Sequence, residues 1–465
     1  MNFYDKMDWN TMLLAYPRDK SRNFDISSYH NILCPPEDYP SFLKKYISLP
    51  LLQRLSGIGL LCGTDWTSLY QNRFCYSRLD HSIGTALIAW HFTHSKAQTI
   101  AALLHDVSTT VFSHVSDFRK GDALTQTITE SPNATILRSN AALLQLLKED
   151  GLTIQEVEDY HKYPICDNEI PNLSADRLEY MFPSGAALQG SWSLEEIRQV
   201  YQKIQVLKNE NGQDELGFTD LGAAEIYVEK FLETGHILQL NENKLTLHLL
   251  GQITNLAIEL GIITEEDCFT LSEAEVIERF QNAAEINNSA DTNNSTGFCK
   301  SADTNKESDE HQNPCTSIKA SGLKQASGPM EEPDSHKNLC TSIKASELNN
   351  ISNSTDAQSK LKYFSKLFTG FSTMKSILHT QSPVENAFCV NLKVKMRYIN
   401  PLVQVKCAAE PTASATSKKE TSPALHPLNS THTYRISQIS KHANSLIQDF
   451  LAWSDTPFGC LELSK

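Results

Sequence analysis

Apolar residues recur at helical spacing through most of the first 285 or so positions. The clearest runs are SIGTALIAWHF (82–92), TIAALLHDV (99–107), ATILRSNAALLQLLKED (134–150) and LGAAEIYVEKFLE (221–233). Each carries an apolar stripe that predicts a helix burying one face. Ser174-Ala175-Asp176 stands before RLEYMF and predicts a further helix with an acid in its first turn. Strand-like alternation is scarce in this half.

The pattern then stops. Residues 287–360 are rich in Asn, Ser, Thr and Lys, and Phe298 is their only aromatic residue. A segment of this kind cannot bury enough apolar surface to offset its ordering entropy. DEHQNPCTSIKASGL (309–323) recurs as DSHKNLCTSIKASEL (334–348), a period of 25. Two copies without an apolar face cannot stack as a solenoid, so the tract reads as a duplicated, disordered insertion. Beyond it, LKYFSKLFTGFSTMKSIL (361–378) predicts an amphipathic helix, and VNLKVKMRYINPLVQVK (390–406) alternates as a half-buried strand. A second polar stretch spans about 408–432, and RISQISKHANSLIQDFLAW (435–453) returns to helical periodicity. The expected architecture is mainly α: a helical unit over 1–286, the insertion over 287–360, and a small α+β part over 361–465.

Composition narrows the picture. The net charge of −14 argues against broad binding to nucleic acid or anionic membrane, which needs a basic face. No stretch approaches the ~18–20 apolar residues of a membrane span, and the first twenty residues lack an apolar signal core. The eleven cysteines form no CxxC pair and suggest reduced thiols in a cytoplasmic protein.

The chemistry concentrates in TIAALLHDVSTTVFSH (99–114), where His105 and Asp106 end an apolar run. An adjacent imidazole and carboxylate suit a packed core poorly, because each must be desolvated and then satisfied. With His81 upstream and Asp176 downstream they suit one divalent cation such as Zn²⁺, Mn²⁺, Fe²⁺ or Mg²⁺. Such an ion would activate water and offset charge on phosphorus, the chemistry of a metal-dependent hydrolase.

These residues resemble the HD superfamily of metal-dependent phosphohydrolases, and more closely its deoxynucleoside triphosphate triphosphohydrolase branch. SRLDHSIG (77–84), HDVSTTVFSH (105–114) and ADRLEYMF (175–182) carry the likeness, with QRLSGIG (53–59) ahead of them. The resemblance implies a helical HD core with His81, His105, Asp106 and Asp176 as metal ligands. Asp106 and His114 would then act in catalysis, and Arg78, Asp117 and Tyr180 would line the substrate pocket. Ser108, Thr109 and Val111 depart from the family's glycine, histidine and proline, and the lost histidine contacts phosphate in the triphosphohydrolases. Some bacterial HD proteins share the variant block, followed by a GD…TQ…TE stretch. Gly121-Asp122, Thr125-Gln126 and Thr129-Glu130 match it and make Glu130 a candidate general acid or base.

Plainer readings compete. Arg78 is placed to pair with Asp80 or Asp106, His114 to bond backbone, and Glu130 to be a solvated acid. Lys393, Lys395 and Arg397 alternate as a solvated strand face would. His91 and His94 lack a partner acid and read as surface or core. The implied activity is hydrolysis of a phosphoester or phosphoanhydride, with a nucleotide such as a dNTP as substrate. The alternatives are monophosphate or oligonucleotide hydrolysis, or a silent domain binding a nucleotide or protein; a homo-oligomer stays open.

Overall fold

The computed structural model describes residues 24–126, 132–295, 355–406 and 431–463. It is mainly helical, as the periodicity predicts. Helix α1 (Ile26–Leu33) packs on α2 (Arg78–Thr93), which runs beside α3 (Lys96–Leu104). A short α4 (Val115–Arg119) follows the His-Asp segment. Helix α5 (Ala175–Leu188) lies against α2 and α6 (Leu221–Gln239), and α7 (Asn241–Glu259) continues beyond α6. The 134–150 run is two helices, because Asn140 ends one and caps the next by accepting the Leu143 N–H.

Two apolar cores form. The first gathers Tyr29, Leu87, Leu103, Phe182, Tyr227 and Phe231 from α1, α2, α3, α5 and α6. The second joins α4 and α7 to helices α8 (Glu273–Ser295) and α9 (Thr355–Thr373). There Phe280 packs edge-on to Phe364 and Phe368, at ring-centroid distances of 5.5 and 5.7 Å. Helices α8 and α9 therefore occupy both ends of the tract expected as an insertion. Its repeats lie outside the described residues, as does most of the polar stretch at 408–432.

Strands β1 (Ile204–Lys208) and β2 (Asp214–Phe218) form an antiparallel hairpin that the periodicity did not reveal. Along the chain follow β3 (Leu378–Thr380), β4 (Ala387–Val390), β5 (Leu402–Lys406), β6 (Thr431–Arg435) and β7 (Phe458–Glu462). They make two sheets, ordered β1-β2-β5-β6 and β3-β7-β4. The C-terminal part thus completes a sheet begun nearly two hundred residues earlier, with β2 and β5 parallel. Helix α10 (Lys441–Ala452) then covers α6.

Three expectations need correction. The strand expected over 390–406 is only its two ends. Between them the backbone bonds other partners: Lys395 N–H to the Ala123 carbonyl (3.1 Å), the Lys395 carbonyl to Gln239 Nε2 (3.0 Å), and Asn400 N–H to the Pro171 carbonyl (2.8 Å). Cys389 and Cys460, opposite one another in the β4–β7 register, form a disulfide, so the thiols are not all reduced. The amphipathic helix starts at Thr355 and stops at Thr373, leaving 378 to a strand. One further contact ties the C-terminal part down. His379 bridges Glu242 at the start of α7 (2.9 Å) and Asp455 ahead of β7 (3.1 Å). No helix among the described residues is long and apolar enough to cross a membrane.

Candidate metal and phosphate site

Local chemistry starts each element that carries a ligand. Ser77 and Asp80 form a capping box, with Asp80 N–H on Ser77 Oγ and Ser77 N–H on Asp80 Oδ2, both 3.1 Å. This starts α2 three residues before His81 and occupies Asp80, so Arg78 turns instead to Asp106 (2.8 Å) and Ser113 Oγ (3.0 Å). Ser174 caps α5 through the Arg177 N–H and places Asp176 in the first turn. His105 and Asp106 lie where α3 ends.

The four residues converge. His81 Nε2 lies 3.1 Å from His105 Nε2, 3.0 Å from Asp176 Oδ1 and 3.7 Å from Asp106 Oδ2. His105 Nε2 is 3.5 Å from Asp176 Oδ1 and 3.6 Å from Asp106 Oδ2. Donors bound at about 2.0–2.2 Å and subtending a right angle sit roughly 3 Å apart. His81, His105 and Asp106, whose donor atoms all lie within 4.8 Å of one another, could therefore hold a single divalent ion, with Asp176 Oδ1 beside both imidazoles.

The outer partners point the same way. His105 Nδ1–H donates to the Ala102 carbonyl at 2.7 Å, and His81 Nδ1–H donates to Glu179. Both rings are held with Nε2 turned inward. Glu179, fully buried, also accepts from Tyr76 Oη at 2.5 Å. Gly84 makes room for it, since a Cβ there would lie 2.8 Å from Glu179 Cδ. Thr109 Oγ1 donates to Asp106 Oδ1 at 3.0 Å. Burial disfavours charge on His81, yet Glu179 and Asp176 outweigh it and push the imidazole up to about 10. Burial likewise opposes ionisation of Asp106, but Arg78 with His105 and His81 holds it well below the usual carboxylate range. Surroundings of this kind favour a cation among these donors.

The donors line a cavity of about 650 Å³ at the meeting of the cores, shared with Arg78, His114, Tyr180 and Arg397. Phe112 (φ 61°) and Ser113 (φ 55°) both take left-handed backbone, a tight turn that aims Ser113 at Arg78 and His114 at the cavity. His114 Nδ1 bonds Asp117 Oδ2 at 3.0 Å, leaving its other nitrogen for the cavity. Burial lowers the His114 pKa against the pull of Asp117, and the charges of Arg78 and Arg397 lower it further.

Not every expected residue reaches the cavity. Asp117 is fully buried, bonds the His114 ring and does not line the cavity. Thr109 is turned onto Asp106. Glu130 lies outside the described residues. Sequence reasoning missed Glu179, noted Gln126 only as part of the GD…TQ…TE match, and favoured a solvated strand face for Arg397. Glu179 was legible as an acid one helical turn after Asp176 within an apolar run. Lys393 is exposed as a solvated face requires, but Lys395 and Arg397 line the cavity.

No family model matches this chain. Among curated proteins, the metal-dependent phosphohydrolase cns2 of Cordyceps militaris is 28% identical over 153 residues, 33% of this chain and 43% of that protein. The uncharacterized protein YdhJ of Bacillus subtilis is 29% identical over 142 residues, 30% of this chain and 41% of that protein. The chain thus matches less than half the length of either relative. Two solved structures cover 52% of this chain and 68% of their own: a phosphohydrolase from Bacteroides thetaiotaomicron (15% identity, TM-score 0.36) and a hypothetical protein from Aquifex aeolicus (16%, 0.38). At those scores the likeness is too loose to transfer any chemistry. What this chain is similar to in sequence is, by name, a metal-dependent phosphohydrolase.

Proposed function

We propose that this protein is a metal-dependent phosphohydrolase acting on a phosphoester or phosphoanhydride, with a nucleotide such as a dNTP as substrate. One observation carries the reading: four N and O donors from three helical segments meet beside a cavity of about 650 Å³ that also presents Arg78, His114 and Arg397. A cavity of this size accommodates a nucleotide. The name of the Cordyceps relative supports the chemistry.

His81, His105, Asp106 and Asp176 would hold one divalent cation, which supplies Lewis acidity toward a phosphoryl oxygen and acidifies water. The remaining work falls to the protein. Glu179 and the Ala102 carbonyl fix the ring tautomers. Arg78 balances Asp106 and faces the anionic substrate. His114, kept neutral by burial and held through Nδ1 by Asp117, moves a proton at its free nitrogen, toward or from the leaving oxygen. Glu130 is proposed as a second proton-transfer group from its place in the sequence. Tyr180 gives an aromatic wall beside the ligands, its ring 6.5 Å from that of His81.

The test is phosphate release from a nucleotide panel with Mn²⁺, Mg²⁺ or Fe²⁺, for wild type and Asp106→Ala. Hydrolysis lost in the variant supports the reading. A wild type that binds a nucleotide tightly but hydrolyses none with any of the metals is a silent binder instead.

A further inference from the structure

Arg397 faces the cavity with no carboxylate in ion-pair reach among the described residues. Its neighbours there are arranged differently: Arg78 is paired with Asp106 (2.8 Å) and Arg177 with Asp167 (2.9 Å). The hydrogen-bond partners of Arg397 among the described residues are neutral. Nη2 donates to Gln126 Oε1 at 2.7 Å, Nη1 reaches Tyr180 Oη at 3.5 Å, and the guanidinium lies 5.5 Å from the centre of the Tyr180 ring. A half-buried cation whose hydrogen-bond partners are all neutral is costly to keep unless an anion comes to it. The planar guanidinium suits a phosphate, which it can grip through two parallel N–H donors.

Its position is fixed. The strap between β4 and β5 is bonded to the Ala123 carbonyl, Gln239 and the Pro171 carbonyl. On α6, Gly235 lets the strap approach, since a Cβ there would lie 2.7 Å from the Arg397 carbonyl oxygen. Tyr180 neighbours both the guanidinium (5.5 Å) and the ring of His81 (6.5 Å), and Arg397 lines the same cavity as the proposed ligands while set apart from them, bonding none. That separation suits a second phosphate of the same substrate rather than the one beside the ligands.

We propose that Arg397, carried in by the C-terminal strap, is a specificity-determining residue that reads a second phosphate, so that the substrates are nucleotides with two or more linked phosphates. The inference rests on the phosphohydrolase reading for the position of the first phosphate.

The experiment compares a nucleoside triphosphate with its monophosphate, using the full chain with Mn²⁺, in wild type, Arg397→Gln, Arg397→Lys and Gly235→Ala. For Arg397→Gln, KM for the triphosphate should rise on the order of tenfold more than KM for the monophosphate, with kcat for the triphosphate falling less than KM rises. Arg397→Lys should recover part of the loss by keeping the charge. Gly235→Ala, which displaces the strap without touching the cation, should move triphosphate KM in the same direction by a smaller factor. Equal effects on both substrates, or a loss confined to kcat, would overturn the proposal. A wild type that hydrolyses neither nucleotide sinks the phosphohydrolase reading by itself. The Arg397 assignment is then decided by calorimetry with inorganic tripolyphosphate and orthophosphate: it stands if Arg397→Gln weakens tripolyphosphate more, and fails if both weaken equally.

Discussion

Replacing Glu179 by glutamine removes one charge and almost no volume, and it tests whether the site is built around a cation. The carboxylate accepts from both His81 Nδ1 and Tyr76 Oη in full burial. A glutamine has one acceptor oxygen, so its amide N–H₂ must face one of those partners. If it faces His81, the ring proton moves to Nε2, the atom that points at the other three ligands. Losing a partner of this kind typically weakens metal binding 10–100-fold, or about 1.4–2.7 kcal/mol. At a free Mn²⁺ of about 100 times the wild-type Kd, bound metal adds roughly 2.7 kcal/mol to stability. With Kd weakened 10–100-fold, the same Mn²⁺ adds only about 1.4 to 0.4 kcal/mol. Calorimetric titration with Mn²⁺ gives Kd, and melting with and without a chelator gives the metal-linked gain in Tm. Glu179→Gln should fold, melt cooperatively in chelator and show a clearly smaller gain. A Kd within about twofold of wild type, in a folded variant, would refute the reasoning that Glu179 sets the His81 tautomer.

Asp106→Ala should lose most bound metal by elemental analysis together with all hydrolysis. His114→Ala should keep the metal and slow hydrolysis by about 10²–10⁴-fold, the usual worth of one proton-transfer group; metal lost with the ring would contradict its place outside the ligand set. His379, pushed up to about 10 by its bonds to Asp455 and Glu242, has a folded pKa above the unfolded value of 6.5. Its contribution to stability is therefore complete below pH 6.5 and lost as pH rises through 10, so wild-type Tm should fall more steeply than that of His379→Gln between pH 7 and 10. Parallel curves would count against the bridge. Joining α8 to α9 by a short Gly-Ser linker in place of 296–354 should move Tm by no more than a few degrees, because loop closure depends weakly on length. A large drop would show that the deleted repeats pack.

The proposed metal ligands were legible as candidates because the chemistry demands particular residue types, and because they ride on strongly periodic local elements. Asp176 needed only a capping serine before it, and His105-Asp106 only an apolar run that stops. The partners of those ligands were less visible. Glu179 had a local clue, whereas the contact between Arg397 and Gln126 spans 271 positions and writes no pattern into either segment. The alternation over 390–406 was read as one half-buried strand, but side-chain periodicity does not say where backbone N–H groups go. Here they go to Ala123 and Pro171 rather than to a neighbouring strand. The hairpin at 204–218 was missed because each strand is five residues long and is completed by β5 from far along the chain. The Cys389–Cys460 pair likewise depends on a register that spacing alone cannot supply.

The late arrival of β5 has a consequence for how the protein is made. Chains emerge from the ribosome at about 5–20 residues per second, and N-terminal units fold first. By the time Asp176 has emerged, all four proposed metal ligands are outside, on an N-terminal helical unit. The strap bearing Arg397 follows more than two hundred residues later. Once β2 has emerged, the β1–β2 hairpin presents the bare edge that β5 will cover. A nascent chain would thus be able to capture its ion before it can distinguish one phosphate from a chain of them. That same uncovered edge is where pairing with another copy is the hazard during synthesis.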